Sequence, residues 1–141
     1  MEPIDETKST STFPLRVRFC ETDLMGITHH GSYLVYFEVG RVEWLRRRGV
    51  TYADWASKGV HLPVVELHLH YAAPSRFDEE LAIETKLVEL RTVSMKFAYR
   101  VMRDGHVLAD GWTRLGCIDA SHKLLRIPED MRAVLLAGEK T

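Results

Sequence analysis

Asp23 is the residue best placed to do chemistry in this 141-residue sequence. It stands in a polar loop with Gly26, between a strand-like run and the longest helix-like segment, so a carboxylate and a helix N-terminus share one place. Backbone N–H groups in the first turn of a helix lack intrahelical acceptors, and such donors bind or polarise an anionic oxygen. A carbonyl with its oxygen on those donors would hold its carbon beside Asp23. This suits acyl transfer, in which the carboxylate serves as nucleophile or as general base for water. Spacing alone also allows Asp23 to be a plain turn or capping residue.

Other chemistry-bearing residues surround it. His29 and His30 precede the helix, where a histidine can act as a base, lend only its backbone N–H, or do neither. Glu38 lies within the helix among apolar neighbours, and a carboxylate there needs a partner or a job. Arg41, one turn on, or Arg18, from the preceding strand, could pair with it; failing Asp23, Glu38 is the alternative acid. A metal reading would recruit His61, His68 and His70, but only His68 and His70 share a strand face, so no metal is expected. Cys20 and Cys117 have no base at hand, are too few for a disulfide framework and match no zinc spacing.

The elements that must position these groups are legible from periodicity. Residues 1–12 are polar and aperiodic and read as a flexible leader; a single domain is expected over 13–141. Leu15, Val17 and Phe19 alternate with Arg16 and Arg18 as a half-buried strand. From Tyr33 to Val39 the chain is almost continuously apolar, as expected of a helix buried on most sides. Gly40 would mark a close backbone approach. Arg46, Arg47 and Arg48 complement the helix dipole as a charged end, with Gly49 as the cap. Thr51 and Asp54 start a short second helix. Four strands follow, over roughly 62–71, 81–90, 94–103 and 106–119, with Asp104-Gly105 as a hairpin turn; Pro128 then opens a last helix. Consecutive strands joined by tight turns make an antiparallel sheet, and one long apolar helix requires that sheet to curl around it.

Acidic and basic residues nearly balance, with a formal net charge of −1, so no nucleic-acid surface is expected. No apolar run reaches the ~20 residues of a membrane span, and the first residues lack the basic-then-apolar order of a signal peptide. A cytoplasmic location follows as the expectation. At this length a deep pocket is hard to build alone, which favours a site shared between subunits.

The string RVRFCETDLMGITHHGSYLVYFEVGRVEWLRRRG, beginning at Arg16, resembles the signature of the 4-hydroxybenzoyl-CoA thioesterase branch of the hotdog-fold superfamily, including the thioesterases associated with the Tol-Pal system. The resemblance rests on Thr22, Asp23, Gly26, His30, Tyr33, Glu38 and Arg41, and extends more weakly from Leu15 to about Asp119. It implies an α+β hotdog fold, with a five- or six-stranded antiparallel sheet wrapped around one long helix. Homodimers or homotetramers with active sites at subunit interfaces are implied too. In function it implies an acyl-CoA thioesterase with no cofactor beyond the coenzyme A of its substrate. Asp23 would be the catalytic carboxylate, the His30 N–H would polarise the thioester carbonyl, and Tyr33 would shape the pocket. Arg91, Thr92 and Ser94 fall where the family holds coenzyme A, although Thr92 and Val93 replace basic residues that some members carry. His29 stands where aromatic-acyl members place an aromatic residue, so a hydroxybenzoyl group is not implied. The alternatives are a non-catalytic acyl-CoA or acyl-carrier-protein binding module, a thioesterase for carrier-protein thioesters, and a hotdog hydratase, for which no signature is present.

Overall fold

Three strands in succession, β3 (Glu80–Leu90), β4 (Ser94–Arg103) and β5 (His106–Gly116), form the frame of the protein. The structure is a computed structural model that describes residues 2–141. Of these, β3 and β4 alternate. Leu81, Ile83, Leu87, Met95, Phe97, Tyr99 and Val101 are buried on one face, while Glu84, Lys86, Lys96 and Arg100 lie on the other. Asp104 and Gly105 both have positive φ, 50° and 80°, as a two-residue hairpin turn matched to strand twist requires. β1 (Thr10–Arg16) pairs with β3, and β2 (Val64–Tyr71) with β5. The result is one antiparallel five-stranded sheet in the order β1-β3-β4-β5-β2.

Across its concave face lies α2 (Ser32–Arg46). Tyr33, Tyr36, Phe37, Gly40, Arg41, Trp44 and Leu45 are buried, at the three- and four-residue spacing of a single helix face. Phe37 stacks on Tyr99 with ring centroids 4.2 Å apart, and Trp44 meets Phe97 edge-on at 5.1 Å. The expected burial on most sides is corrected: Leu34 and Val35 are 39% and 46% exposed. One sheet has only one concave face, so it covers only one side of the helix. At Gly40 the close neighbours are side chains of β3 rather than backbone; a Cβ there would collide with Thr85 Oγ1 and stand 3.0 Å from Ile83 Cγ2. Gly111 of β5 is tighter still, since a Cβ would run into the backbone oxygen of His68 and lie 3.1 Å from the Phe37 ring. Backbone cannot rotate away as a side chain can. Gly111→Ala is therefore expected to lose about 2–3 kcal/mol of stability, read as a lower urea midpoint with little change in slope.

Of the leader expected over residues 1–12, Met1 lies outside the described residues and residues 6–12 hold regular structure. Asp5 caps a short helix, α1 (Glu6–Ser9), and β1 begins at Thr10 rather than near Phe13. The hydroxyl of Ser9 donates to Leu87 O and accepts from Leu87 N, at 2.9 and 2.8 Å. At the end of α2, Gly49 has φ +87° and the Val50 N–H reaches back to Leu45 O, so the predicted glycine cap is present. The charged helix end is not a solvated one, however. Arg48 is 1% exposed, lies over the Trp44 ring, and donates to Trp44 O, Lys8 O, Ser11 Oγ and Ala137 O, each at 3.0 Å. Burial pulls its guanidinium down to about 10. Arg46 and Arg47 keep to the surface and pair with Glu43 and Glu139.

Two short helices complete the fold. α3 (Tyr52–Ser57) carries the expected Thr51–Asp54 capping box, and α4 (Glu129–Leu136) follows Pro128. Among the described residues no helix is long and apolar enough to cross a membrane.

Candidate active site

The loop between the 3-10 turn Phe19–Glu21 and α2 is fixed mainly by its own backbone. The Asp23 N–H donates to Ile27 O, the Gly26 N–H donates to Asp23 O, and Gly26 takes φ +76°, which a side chain would make costly. Asp23 Oδ1 accepts from the Met25 N–H at 2.9 Å. The turn role thus engages one carboxylate oxygen only, and Oδ2 has no partner among the described residues.

The peptide joining His29 to His30 is also aimed. Its carbonyl, His29 O, accepts from the Ser32 N–H, and a trans peptide points its N–H the opposite way. The His30 N–H accordingly has no acceptor among the described residues. The next carbonyl, His30 O, is held by the Tyr71 hydroxyl at 2.7 Å, and the Gly31 N–H is taken by His29 Nδ1 at 3.0 Å. Asp23, His30 and Tyr33 line one cavity of about 340 Å³, with Met25, Ile27 and Thr28 from the loop and Tyr71 to Pro74 from the end of β2. Tyr33 is buried, and its hydroxyl bonds to Ser75 Oγ at 2.9 Å, which in turn meets Thr28 Oγ1 at 2.6 Å. Gly26 shapes the turn and does not line the cavity.

Glu38 does not occupy the position expected of it. Its side chain is exposed, Arg41 turns inward to donate to the Tyr99 hydroxyl at 3.1 Å, and Arg18 pairs with Glu21. The buried carboxylate of this region is Glu21, and its spacing from Arg18 was the only trace of it in the sequence. Burial would raise its pKa, but the Arg18 backbone N–H, the Arg18 guanidinium and the Tyr36 hydroxyl hold it below the usual carboxylate range. The same contact and its own burial push the Tyr36 hydroxyl well above the usual phenol range.

The histidines of β2 are scattered: His68 stacks on Trp112 at 6.2 Å and His70 lies 3.4 Å from Asp110, both on the open sheet face. Among the described residues no group of three or more His, Cys, Asp or Glu is arranged to hold a metal ion. Cys20 is exposed, whereas Cys117 is buried and its thiol pushed up by that burial.

Arg91, Thr92 and Ser94 are not brought to Asp23. Arg91 and Thr92 line a separate cavity of about 330 Å³, where sequence inspection had missed Arg126 and Arg132. Arg132 donates to Arg91 O and lies 3.6 Å from Glu2, while Arg126 has no carboxylate partner among the described residues. Ser94 begins β4, and Arg103, at its other end, donates to Pro74 O of the Asp23 cavity. The length of the ten-residue strand separates the two places, roughly 30 Å at about 3.3 Å per residue step.

Residues 17–135 match the thioesterase-like superfamily. Among relatives, an acyl-CoA thioesterase of Haemophilus influenzae is 29% identical over 86% of this chain and 91% of its own. Among solved structures, a hypothetical protein of Thermus thermophilus is 44% identical, covering 89% of this chain and 96% of its own with TM-score 0.86. A DHNA-CoA thioesterase of Staphylococcus aureus superposes with TM-score 0.85 at 27% identity, covering 89% and 87% of the two chains. Helix, sheet order and matched length agree, and the chain belongs to the thioesterase-like superfamily, with the hotdog fold.

Proposed function

We propose that this protein hydrolyses acyl-CoA thioesters, with Asp23 as the reacting carboxylate and the His30 N–H as the donor to the thioester oxygen. The observation that carries this reading is one cavity lined by both Asp23 and His30, whose Oδ2 and backbone N–H, respectively, have no partners among the described residues. As general base, Asp23 takes a proton from water while the new hydroxyl oxygen bonds to the carbonyl carbon; as nucleophile, it forms an anhydride that water then opens. On either route the negative charge developing on the carbonyl oxygen falls on the His30 N–H and the positive end of α2. The tetrahedral centre then collapses by breaking the carbon–sulfur bond. Thiols ionise near pH ~8.5, so the coenzyme A sulfur leaves as thiolate with little help.

The separation of Arg91 from Asp23 supports a shared site. Of the two sheet edges, β1 carries Pro14, which cannot donate to a further strand, whereas β2 has no proline within it. On β2, Val65 and Leu67 are 62% and 46% exposed. Pairing two copies antiparallel along β2 runs their sheets in opposite directions, so the Arg91 end of one subunit approaches the Asp23 end of the other. Arg91, Arg126 and Arg132 would there meet the phosphates of coenzyme A. A homodimer is the minimum active unit, with a tetramer as a stack of two, and the thiol-reduced cytoplasm as its compartment.

The test is free-thiol release from short, long, branched and aromatic acyl-CoAs. Turnover of one class supports the proposal and names the acyl group; binding without turnover points instead to a binding module. Val65→Lys with Leu67→Lys places like charges along the paired edge at positions exposed in the subunit. Light scattering should then show a monomer with unchanged circular dichroism, and turnover should fall at least a hundredfold; an active monomer would sink the shared site.

A further inference from the structure

Glu21 ties the turn after β1 to the end of the Asp23 loop and to the start of α2. Its side chain is nearly enclosed, the residue being 7% exposed, and all of its lone-pair directions are engaged. Oε1 accepts from the Arg18 N–H at 2.8 Å and from the Tyr36 hydroxyl at 2.9 Å. Oε2 accepts from Arg18 Nε at 3.0 Å and lies 2.9 Å from Arg18 Nη2. One carboxylate therefore joins the end of the first strand to the second turn of α2.

The backbone of the same residue does the rest. Glu21 O accepts from the His29 N–H at 2.7 Å and from Ser32 Oγ at 3.1 Å. The first of these bonds fixes the amide one residue before the free His30 N–H. The second fixes the first residue of α2. Asp23 lies two residues beyond Glu21 on the other side. Both reacting groups are thus reached from Glu21 by a short, hydrogen-bonded path; the other buried link from this loop to α2, Thr28 through Ser75 to the Tyr33 hydroxyl, is neutral and indirect.

We infer that Glu21 is a positioning residue for the hydrolysis, holding the Asp23 carboxylate and the His30 N–H at a fixed separation by anchoring both ends of their loop to Arg18 and Tyr36. The inference rests on the thioesterase reading above for its kinetic consequence, though not for its structural one. It does not follow from the family signature, since Glu21 touches no substrate-facing surface and lines no part of the cavity. A carboxylate is required because four donors converge on it. An amide of the same size offers one oxygen, and its NH2 would face the Arg18 guanidinium.

Glu21→Gln and Tyr36→Phe, alone and together, test this beside the wild type. The expected result for Glu21→Gln is a fall in kcat of roughly thirtyfold with KM changed less than twofold, because acyl-CoA contacts are intact while the reacting groups are loosened. Tyr36→Phe should lose several-fold, and the double variant little more than Glu21→Gln alone, as members of one network behave. Glu21→Asp, which keeps the charge, should recover part of the loss. Hydrogen exchange at the His29 amide should quicken in Glu21→Gln while amides of β4 stay as slow as in the wild type. An unchanged kcat, or a loss of melting temperature with kcat per folded molecule preserved, would overturn the inference. If the wild type turns over no acyl-CoA, the functional proposal fails by itself, and His29 exchange still decides whether Glu21 holds the loop.

Discussion

Asn in place of Asp23 is expected to lower kcat for thioester hydrolysis by a thousandfold or more, ~4 kcal/mol of barrier, with KM nearly unchanged. The amide keeps the size of the carboxylate, and its oxygen can still accept the Met25 N–H that Oδ1 holds in the turn. Loop geometry, cavity and the free His30 N–H are thereby retained, and only the charge that attacks carbon or draws a proton from water is lost. Steady-state thiol release on the best substrate of the panel measures it, with melting temperature as the control for folding. Activity within about tenfold of wild type would remove Asp23 from the chemistry. Glu38 would then be the acid to examine, on the face of α2 that its own sheet leaves open.

The largest effect on stability is expected at Trp44. Its ring is fully buried against Phe97, its Nε1–H donates to Ser9 O at 2.6 Å, and the Arg48 guanidinium lies 3.6 Å over its face. Trp44→Ala should cost about 3–5 kcal/mol from the cavity and lost apolar contact alone. Leaving Ser9 O without its indole donor and the Arg48 cation without its ring adds to that. A fall in melting temperature of about 10–20 °C is the expected reading. Trp44→Phe, which refills most of the volume without the N–H, should recover more than half of it. A change of only a few degrees in Trp44→Ala would mean that the helix–sheet contact at this level carries little of the fold.

What could be read from the chain before folding was whatever a short window contains. The hairpin at Asp104-Gly105, the Thr51–Asp54 capping box, the Gly49 cap and the alternation of β3 and β4 are all set by neighbours within a few residues, and each stands where periodicity put it. So does the meeting of Asp23, His30 and Tyr33, because a loop leading into a helix is itself a local arrangement. Missed features depend on distant partners. Ser9 and Ser11 look like solvated leader until Leu87 of β3, 78 residues away, partners Ser9, and Arg48 just past α2, 37 residues away, donates to Ser11. Arg48 looks like a helix-end charge until carbonyls 40 and 89 residues distant converge on it. Glu38 looked half-buried because the apolar run around it was taken to face protein on all sides, whereas a single sheet covers one. The gap between Arg91 and Asp23 likewise belongs to the topology, in which β4 begins at one place and ends at the other.

Arg48 also sets how the molecule comes apart. Chain termini ordinarily fray independently and at low cost, each as its own small opening. Here a peptide carbonyl from the beginning of the chain and another from its end share one guanidinium that water does not reach. Releasing either segment strands a buried cation with donors unmet, a penalty that falls on the other segment and on α2 as well. The segments at Lys8 and Ala137 therefore belong to the same cooperative unit as the helix between them, and neither can peel away without loosening the centre of the fold.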